Sequence, residues 1–140
     1  MIINTDMKEY NDSFRKKGET LYLISSDDVF DYLKDCIRVG FITSMRLINE
    51  KGIFDTLKEC CIENGLGFDI TSDSDLTDDE FLYGKTKYLA VVSVDAEQED
   101  DFVDFLFSNK ISLTLLGHVT KGELRMDGKY FGFINDYIKR

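Results

Sequence analysis

The turn that precedes the amphipathic run beginning at Ile53 has residue types that could bind a small anion. It reads Asn49-Glu50-Lys51-Gly52, and the apolar spacing after it predicts a helix. A glycine at a helix start lets backbone N–H groups approach a phosphate, whereas Asn49 could equally cap the helix without a ligand. The sequence leaves both interpretations open, an ordinary helix N-terminus and a site for a phosphorylated compound. No Gly-x-x-x-x-Gly-Lys-Thr or Gly-x-Gly-x-x-Gly loop is present.

The imidazole and thiol groups predict no catalytic or metal site. His118 is the only histidine, and the cysteines are Cys36, Cys60 and Cys61. A catalytic triad or a zinc site needs more aligned groups than one imidazole. Two adjacent thiols and a distant third fit neither a disulfide framework nor zinc spacing. We therefore expect buried core thiols in a reducing compartment, with no catalytic residue and no metal ligand.

The acidic residues are concentrated in two stretches. Residues 69–80 and 95–104 hold twelve of the 27 acidic residues and no basic ones, so the net charge of −10 comes mainly from these two features. Solvated surface explains both stretches. They could also bind Mg²⁺ or Ca²⁺, but residues 73–80 lack the glycine of a calcium loop. Because clustered Lys and Arg are missing, we expect no nucleic-acid and no membrane partner.

The length and the hydrophobic pattern predict one domain, residues 1–140. A composition of 43% hydrophobic and 31% charged residues is typical of globular proteins. The longest apolar runs are only a few residues, whereas a membrane span needs about 20. The N-terminal residues show no signal peptide, so we expect a cytoplasmic protein.

Strands and helices alternate along the chain, and this order predicts an α+β domain with a mixed β-sheet and packed helices. Gly65 is predicted to end the second helix, Asp95 with Gln98 to cap the third, and Asp127-Gly128 to form a type I′ hairpin turn. The predicted strands are 20–25, 41–48, 66–70, 87–94, 111–119 and a hairpin over 124–130. The first predicted helix covers about 27–38, the second begins near 53, and the third runs from 95 to 109. An acidic loop is predicted at 71–80.

Several short phrases resemble one enzyme family when taken in order. They are Lys-Lys-Gly-Glu-Thr-Leu-Tyr-Leu-Ile-Ser (16–25), Gly-Leu-Gly-Phe-Asp-Ile (65–70), Leu-Ala-Val-Val-Ser-Val (89–94) and Ile-Ser-Leu-Thr-Leu-Leu-Gly-His-Val-Thr (111–120). They resemble the C-terminal domain of the aminoimidazole ribonucleotide synthetase superfamily, and phosphoribosylformylglycinamidine synthase most closely. The resemblance covers about 16–127, leaves 1–15 as an N-terminal extension and 128–140 as an aromatic tail, and implies that domain's fold.

The resemblance also implies a site that has changed. The family has a His-Asp-x-Ser-Asp-Gly-Gly turn facing the substrate, and the matching stretch here runs from Arg46 to Gly52. Only the last glycine is retained. The ligand-binding residues that the resemblance implies are Arg46, Asn49, Glu50, Lys51 and Gly52. The family's nucleotide-binding and glutaminase domains have no counterpart in this sequence, so we expect no cofactor for the chain alone, and ATP and Mg²⁺ only if an N-terminal-type domain complements it.

Three functional hypotheses follow. The first is a stand-alone, degenerate domain of purine biosynthesis that is non-catalytic alone and binds a small phosphorylated ligand or a partner chain. The second is a subunit of a split synthase, active only when complemented. The third is a dimeric regulatory module that binds a metabolite. Self-association or a partner chain would cover the surface that faces another domain in the family.

Overall fold

The computed structural model describes residues 11–25, 30–72, 75–84 and 88–138. Within these ranges the chain forms one mixed sheet with helices packed on it, as the sequence predicts. The strands are β1 Thr20–Ile24, β2 Ser44–Leu47, β3 Gly67–Ile70, β4 Ala90–Val94, β5 Leu113–Thr120, β6 Glu123–Met126 and β7 Lys129–Phe133. The helices are α1 Phe30–Arg38, α2 Ile53–Ile62, α3 Asp78–Tyr83 and α4 Glu99–Ser108, with 3₁₀ turns at Ala96–Gln98 and Ile134–Tyr137.

The sheet has the strand order β2-β4-β1-β5-β3-β6-β7. All paired neighbours are antiparallel except β3 and β6, which are parallel. β4 is an interior strand whose five residues are all buried, in agreement with its nearly continuous apolar sequence. The β1–β5 pairing joins segments about 90 residues apart and places the entrance of β1 beside the end of β5.

Alternation along the strands divides the core between the two faces of the sheet. One face packs against α2, α3 and the C-terminal 3₁₀ turn, and its fully buried residues include Phe68, Leu57 and Ile134. The other face packs against α1 and α4 through Leu33 and Phe102. All three cysteines are free and buried, which confirms the core thiols expected from sequence.

The second face is only half covered. The register places His118, Asp69, Arg125 and Tyr130 in one row across β5, β3, β6 and β7. His118 and Tyr130 are exposed, and the Arg125 guanidinium lies 5.0 Å from the centre of the Tyr130 ring. On the same face Leu115 is 62% exposed. The strands β5, β3, β6 and β7 therefore present a largely polar face that also exposes the apolar side chains of Leu115 and Phe133.

The helix α3 corrects the sequence prediction. The sequence predicts an acidic loop over residues 71–80, but Asp78–Tyr83 is helical. The reason is a capping box, in which the Thr77 hydroxyl accepts from the Glu80 N–H and the Glu80 carboxylate accepts from the Thr77 N–H. The pattern Thr-x-x-Glu before an apolar pair was the available signal.

Other predicted boundaries differ less. The strand expected over 41–48 is shortened to Ser44–Leu47, because the Phe41 N–H still bonds to the Cys36 carbonyl at the end of α1. Asp95 caps a 3₁₀ turn that leads into α4. The hairpin turn is confirmed, since Asp127 and Gly128 have φ values of 54° and 84°. The start of the first predicted helix and residue 87, the first of the predicted fourth strand, lie outside the described residues.

Both ends of the described chain pack into the core. Phe14 is fully buried against the α2 side of the sheet. The ring of Phe54 on α2 contacts the rings of Phe131 and Tyr137 at centroid distances of 6.1 and 5.9 Å. The tail from Phe131 onward therefore covers α2 within the same chain.

Among the described residues, no helix has the length and apolar character that crossing a membrane requires.

Candidate functional site

Hydrogen bonds within the turn between β2 and α2 occupy the side chain of Asn49. Its carbonyl oxygen accepts from the Lys51 N–H at 2.9 Å, and its amide donates to Asp55 at 2.8 Å. Its backbone N–H donates to the Thr56 hydroxyl at 3.1 Å. The predicted cap is thus replaced by an Asn-centred turn in which no side chain caps α2.

Gly52 serves a close contact between helices. It has a φ of 108° and is buried. A Cβ at this position would collide with the carbonyl oxygen of Leu82 and lie 2.9 Å from the Cα of Tyr83. The space beside Gly52 that a phosphate could approach is therefore occupied by the backbone at the C-terminal end of α3.

The first turn of α2 already carries a negative charge. Asp55 forms an ion pair with Lys58 at 3.3 Å. Burial acts to raise the pKa of Asp55, but hydrogen bonds from Asn49 and Lys58 outweigh it, and the pKa lies below its ordinary value. Because this carboxylate meets the positive end of the helix, a bound phosphate would have to compete with it.

The remaining residues that the resemblance implies do not converge on one point. The Arg46 side chain donates from Nε to the Asp12 carbonyl at 3.0 Å and pairs with the Asp12 carboxylate at 3.4 Å. Glu50 and Lys51 are exposed at the tip of the turn. None of the residues from 46 to 52 lines the cleft that Lys17, His118 and Lys121 form at the other end of the sheet's β1–β5 pair.

The thiols are not placed for nucleophilic chemistry. Burial raises the pKa of Cys36 and of Cys60 to about 12, and it also raises the pKa of Cys61. A thiol reacts as its thiolate, and a raised pKa leaves little thiolate near neutral pH.

We expect the folded protein to react slowly with a chromogenic disulfide reagent at mildly alkaline pH. In guanidinium, which exposes the chain, all three thiols are expected to react quickly. A single cysteine that reacts quickly in the folded state would contradict this account.

A basic cleft lies where the entrance of β1 meets the end of β5. It has a volume of about 250 Å³ and is lined by Lys17, His118 and Lys121, together with Gly18 and Glu123 among others. The Gly18 N–H donates to the Val119 carbonyl at 2.9 Å, which fixes the turn that carries Lys17 against β5.

The charges of the cleft are those of an anion site. Lys17, His118 and Lys121 are all exposed and can donate hydrogen bonds to an oxyanion. The Glu123 carboxylate reduces the positive charge of the cleft, but the Arg125 guanidinium, at 3.8 Å, partly neutralises this carboxylate. Lys17 and Lys121 could not be identified from sequence, because they come together only through the long-range β1–β5 pairing.

Solved structures of known proteins contain this fold at low sequence identity. T. maritima PurL complexed with ATP aligns with a TM-score of 0.73 at 8% identity, over 90% of this chain and 26% of that chain. Phosphoribosylformylglycinamidine synthase II from Thermotoga maritima aligns with a TM-score of 0.72 at 8% identity, over 88% of this chain and 26% of that one. Thiamine-monophosphate kinase from Stenotrophomonas maltophilia K279a aligns with a TM-score of 0.63 at 13% identity, over 86% and 53% of the two chains.

No protein-family model matches the chain, and no curated protein matches it either. The chain spans about a quarter of the length of the PurL chains and about half of the kinase chain. These alignments confirm the α+β fold that the resemblance implied, and at such low identity they establish the fold alone.

Proposed function

Since this chain has the fold of the C-terminal domain of aminoimidazole ribonucleotide synthetase-like proteins, we propose that it is a purine-biosynthesis-type domain that binds a small phosphorylated ligand and does not catalyse a reaction alone. The observation that carries the proposal is the basic cleft, where Lys17, His118 and Lys121 meet in a protein of net charge −10.

Electrostatics favours a phosphate in this cleft over the turn at residues 46–52. Lysine ammonium groups bind phosphate as point charges, and a concave site strengthens their attraction because water is partly excluded. The turn instead presents Asp55 at the helix start and one exposed cation, Lys51. We therefore propose the cleft for the phosphate and keep the turn, with Arg46, Asn49, Glu50, Lys51 and Gly52, as the second candidate position.

The potential metal ligands and the thiols of the described residues fit the proposed binding role. The described residues include no group of three or more His, Cys, Asp or Glu side chains that could hold a metal ion. Their three thiols are buried, and the raised pKa values disfavour a nucleophilic thiolate. Free cysteines also fit a reducing compartment such as the cytoplasm.

Thermal shift with a set of ligands tests the binding function. We expect ATP or formylglycinamide ribonucleotide to raise the Tm and adenosine, which has no phosphate, to leave it unchanged. A ligand at about 100 times its Kd stabilises a protein by about 2.7 kcal/mol, a shift of several degrees at this size. No shift with any phosphorylated compound would contradict the proposal.

Charge-removing variants test the position of the phosphate. Lys17→Gln and Lys121→Gln are each expected to weaken binding about tenfold, because a charge-assisted hydrogen bond to a phosphate is worth about 1.4 kcal/mol or more. Lys51→Gln is the matched control, since Lys51 is also exposed but lies in the β2–α2 turn. If only Lys51→Gln weakens binding, the ligand occupies the turn and our assignment of the cleft is wrong.

A second candidate function is that of a subunit of a split synthase, proposed from the fold that this chain shares with PurL. In that case ATP and Mg²⁺ would bind only after complementation by an N-terminal-type domain.

We also propose that a partner chain or a second copy covers the open face of β5 to β7, where Leu115 is 62% exposed. Sedimentation at high protein concentration distinguishes the two partners. A dimer would indicate that a second copy covers the face, and a monomer would leave a different chain as the partner.

A further inference from the structure

A second cleft adjoins the same segment before β1, but it shares no lining residue with the basic cleft. It has a volume of about 480 Å³ and is bounded by the segment before β1, the end of α1 and the turn that leads into β2. Its polar lining comes from Asn11, Arg15, Lys16, Glu19, Thr43 and Asp95. Ile37 and Ile42 add an apolar wall.

Glu19 at this cleft has an unsatisfied carboxylate oxygen. The residue is 1% exposed. Its Oε1 accepts from the backbone N–H groups of Arg15 and Lys16 at 3.0 and 3.2 Å. Its Oε2 is buried and has no hydrogen-bond partner within the described part of the chain. Leaving a buried charged oxygen unpaired costs free energy, so a donor from outside the chain would be favoured there.

The other charges of the cleft restrict the ligand. Lys16 pairs with Asp95 at 2.9 Å, whereas Arg15 has no ion pair within the described ranges. A simple anion would be repelled by Glu19 and Asp95. A simple amine would be repelled by Arg15 and Lys16. A divalent cation would find only two carboxylates among these residues, beside two positive groups.

From these contacts we propose that the cleft binds an α-amino acid. The ligand's ammonium group donates to Oε2 of Glu19, and its carboxylate accepts from the exposed Arg15 guanidinium, which is suited to planar carboxylates. The ligand's aliphatic carbons lie against Ile37 and Ile42. The cleft is large enough for an amino acid with a side chain of several heavy atoms.

The test is a titration followed by NMR and calorimetry with glycine, L-alanine, L-leucine and L-glutamine at millimolar concentration. Propionate and ethylamine are the controls, since each has only one of the two charged groups. We expect at least one amino acid to shift the amide signals of residues 15, 16 and 43, and neither control to do so. The absence of a response to every amino acid, or equal responses to the controls, would overturn the proposal.

Two variants keep the proposal falsifiable. Glu19→Gln keeps an oxygen for the two backbone N–H groups but replaces Oε2 by an amide that cannot accept, and it is expected to weaken binding at least tenfold. Arg15→Gln changes an exposed side chain, so it is expected to fold normally and to weaken binding to a similar degree. Lys110→Gln is the matched control because Lys110 is also exposed but lines neither cleft. Unchanged affinity in Arg15→Gln would contradict the proposed carboxylate contact.

Discussion

Replacing Phe68 by alanine is expected to lower the free energy of unfolding by about 3–5 kcal/mol. Phe68 is fully buried on β3, where it faces α2. Its ring meets the ring of Phe54 edge to face at 6.0 Å. The substitution removes this contact and leaves a cavity that the closely packed surroundings only partly fill. Urea unfolding followed by circular dichroism measures the loss.

The matched control is the same change at an exposed position. Phe107 on α4 is 81% exposed, so Phe107→Ala is expected to alter the free energy of unfolding by less than about 0.5 kcal/mol. If the two variants lose similar stability, the burial assigned to β3 and the register of the sheet around it are wrong.

Gly52→Ala is expected to be the second most destabilising change. Gly52 has a φ of 108° and a ψ of −175°, a region that is essentially restricted to glycine, and forcing alanine into it costs about 1–3 kcal/mol. The new Cβ would also collide with the Leu82 carbonyl at the end of α3, and such overpacking adds about 1–3 kcal/mol. Thermal unfolding of the variant measures the combined effect.

Gly40→Ala separates the two causes. Gly40 has a φ of 90°, but a Cβ there would meet no atom within 4 Å. Only the backbone cost of about 1–2 kcal/mol is expected for it. Equal losses in the two variants would show that the contact between α2 and α3 does not restrict residue 52.

The fold was largely predictable because its elements are encoded locally. The nearly continuous apolar runs of β1 and β4 and the Asp127-Gly128 turn are each recognisable from neighbouring residues, and the structure confirms them. α3 was missed because its apolar pair is short, although Thr77 and Glu80 carry the capping signal. The strand order of the sheet was not predicted, since the β1–β5 pairing depends on contacts far apart in sequence.

The candidate sites were less predictable for the same reason. The turn at residues 46–52 was found from sequence because its residues are consecutive. Lys17 and Lys121 lie in segments separated by most of the chain, and only the sheet register brings them to one cleft. The unpaired oxygen of Glu19 depends on the folding of the segment before β1, and its residue type alone gives no sign of it.

The most direct test of phosphate binding in the basic cleft is an NMR titration of the isotope-labelled protein with ATP. We predict that the largest amide shifts fall on residues 17–18 and 118–121, and that Lys17→Gln reduces them. Adenosine should produce no such shifts. Shifts confined to residues 46–52, or no shifts at saturating ATP or formylglycinamide ribonucleotide, would contradict the account.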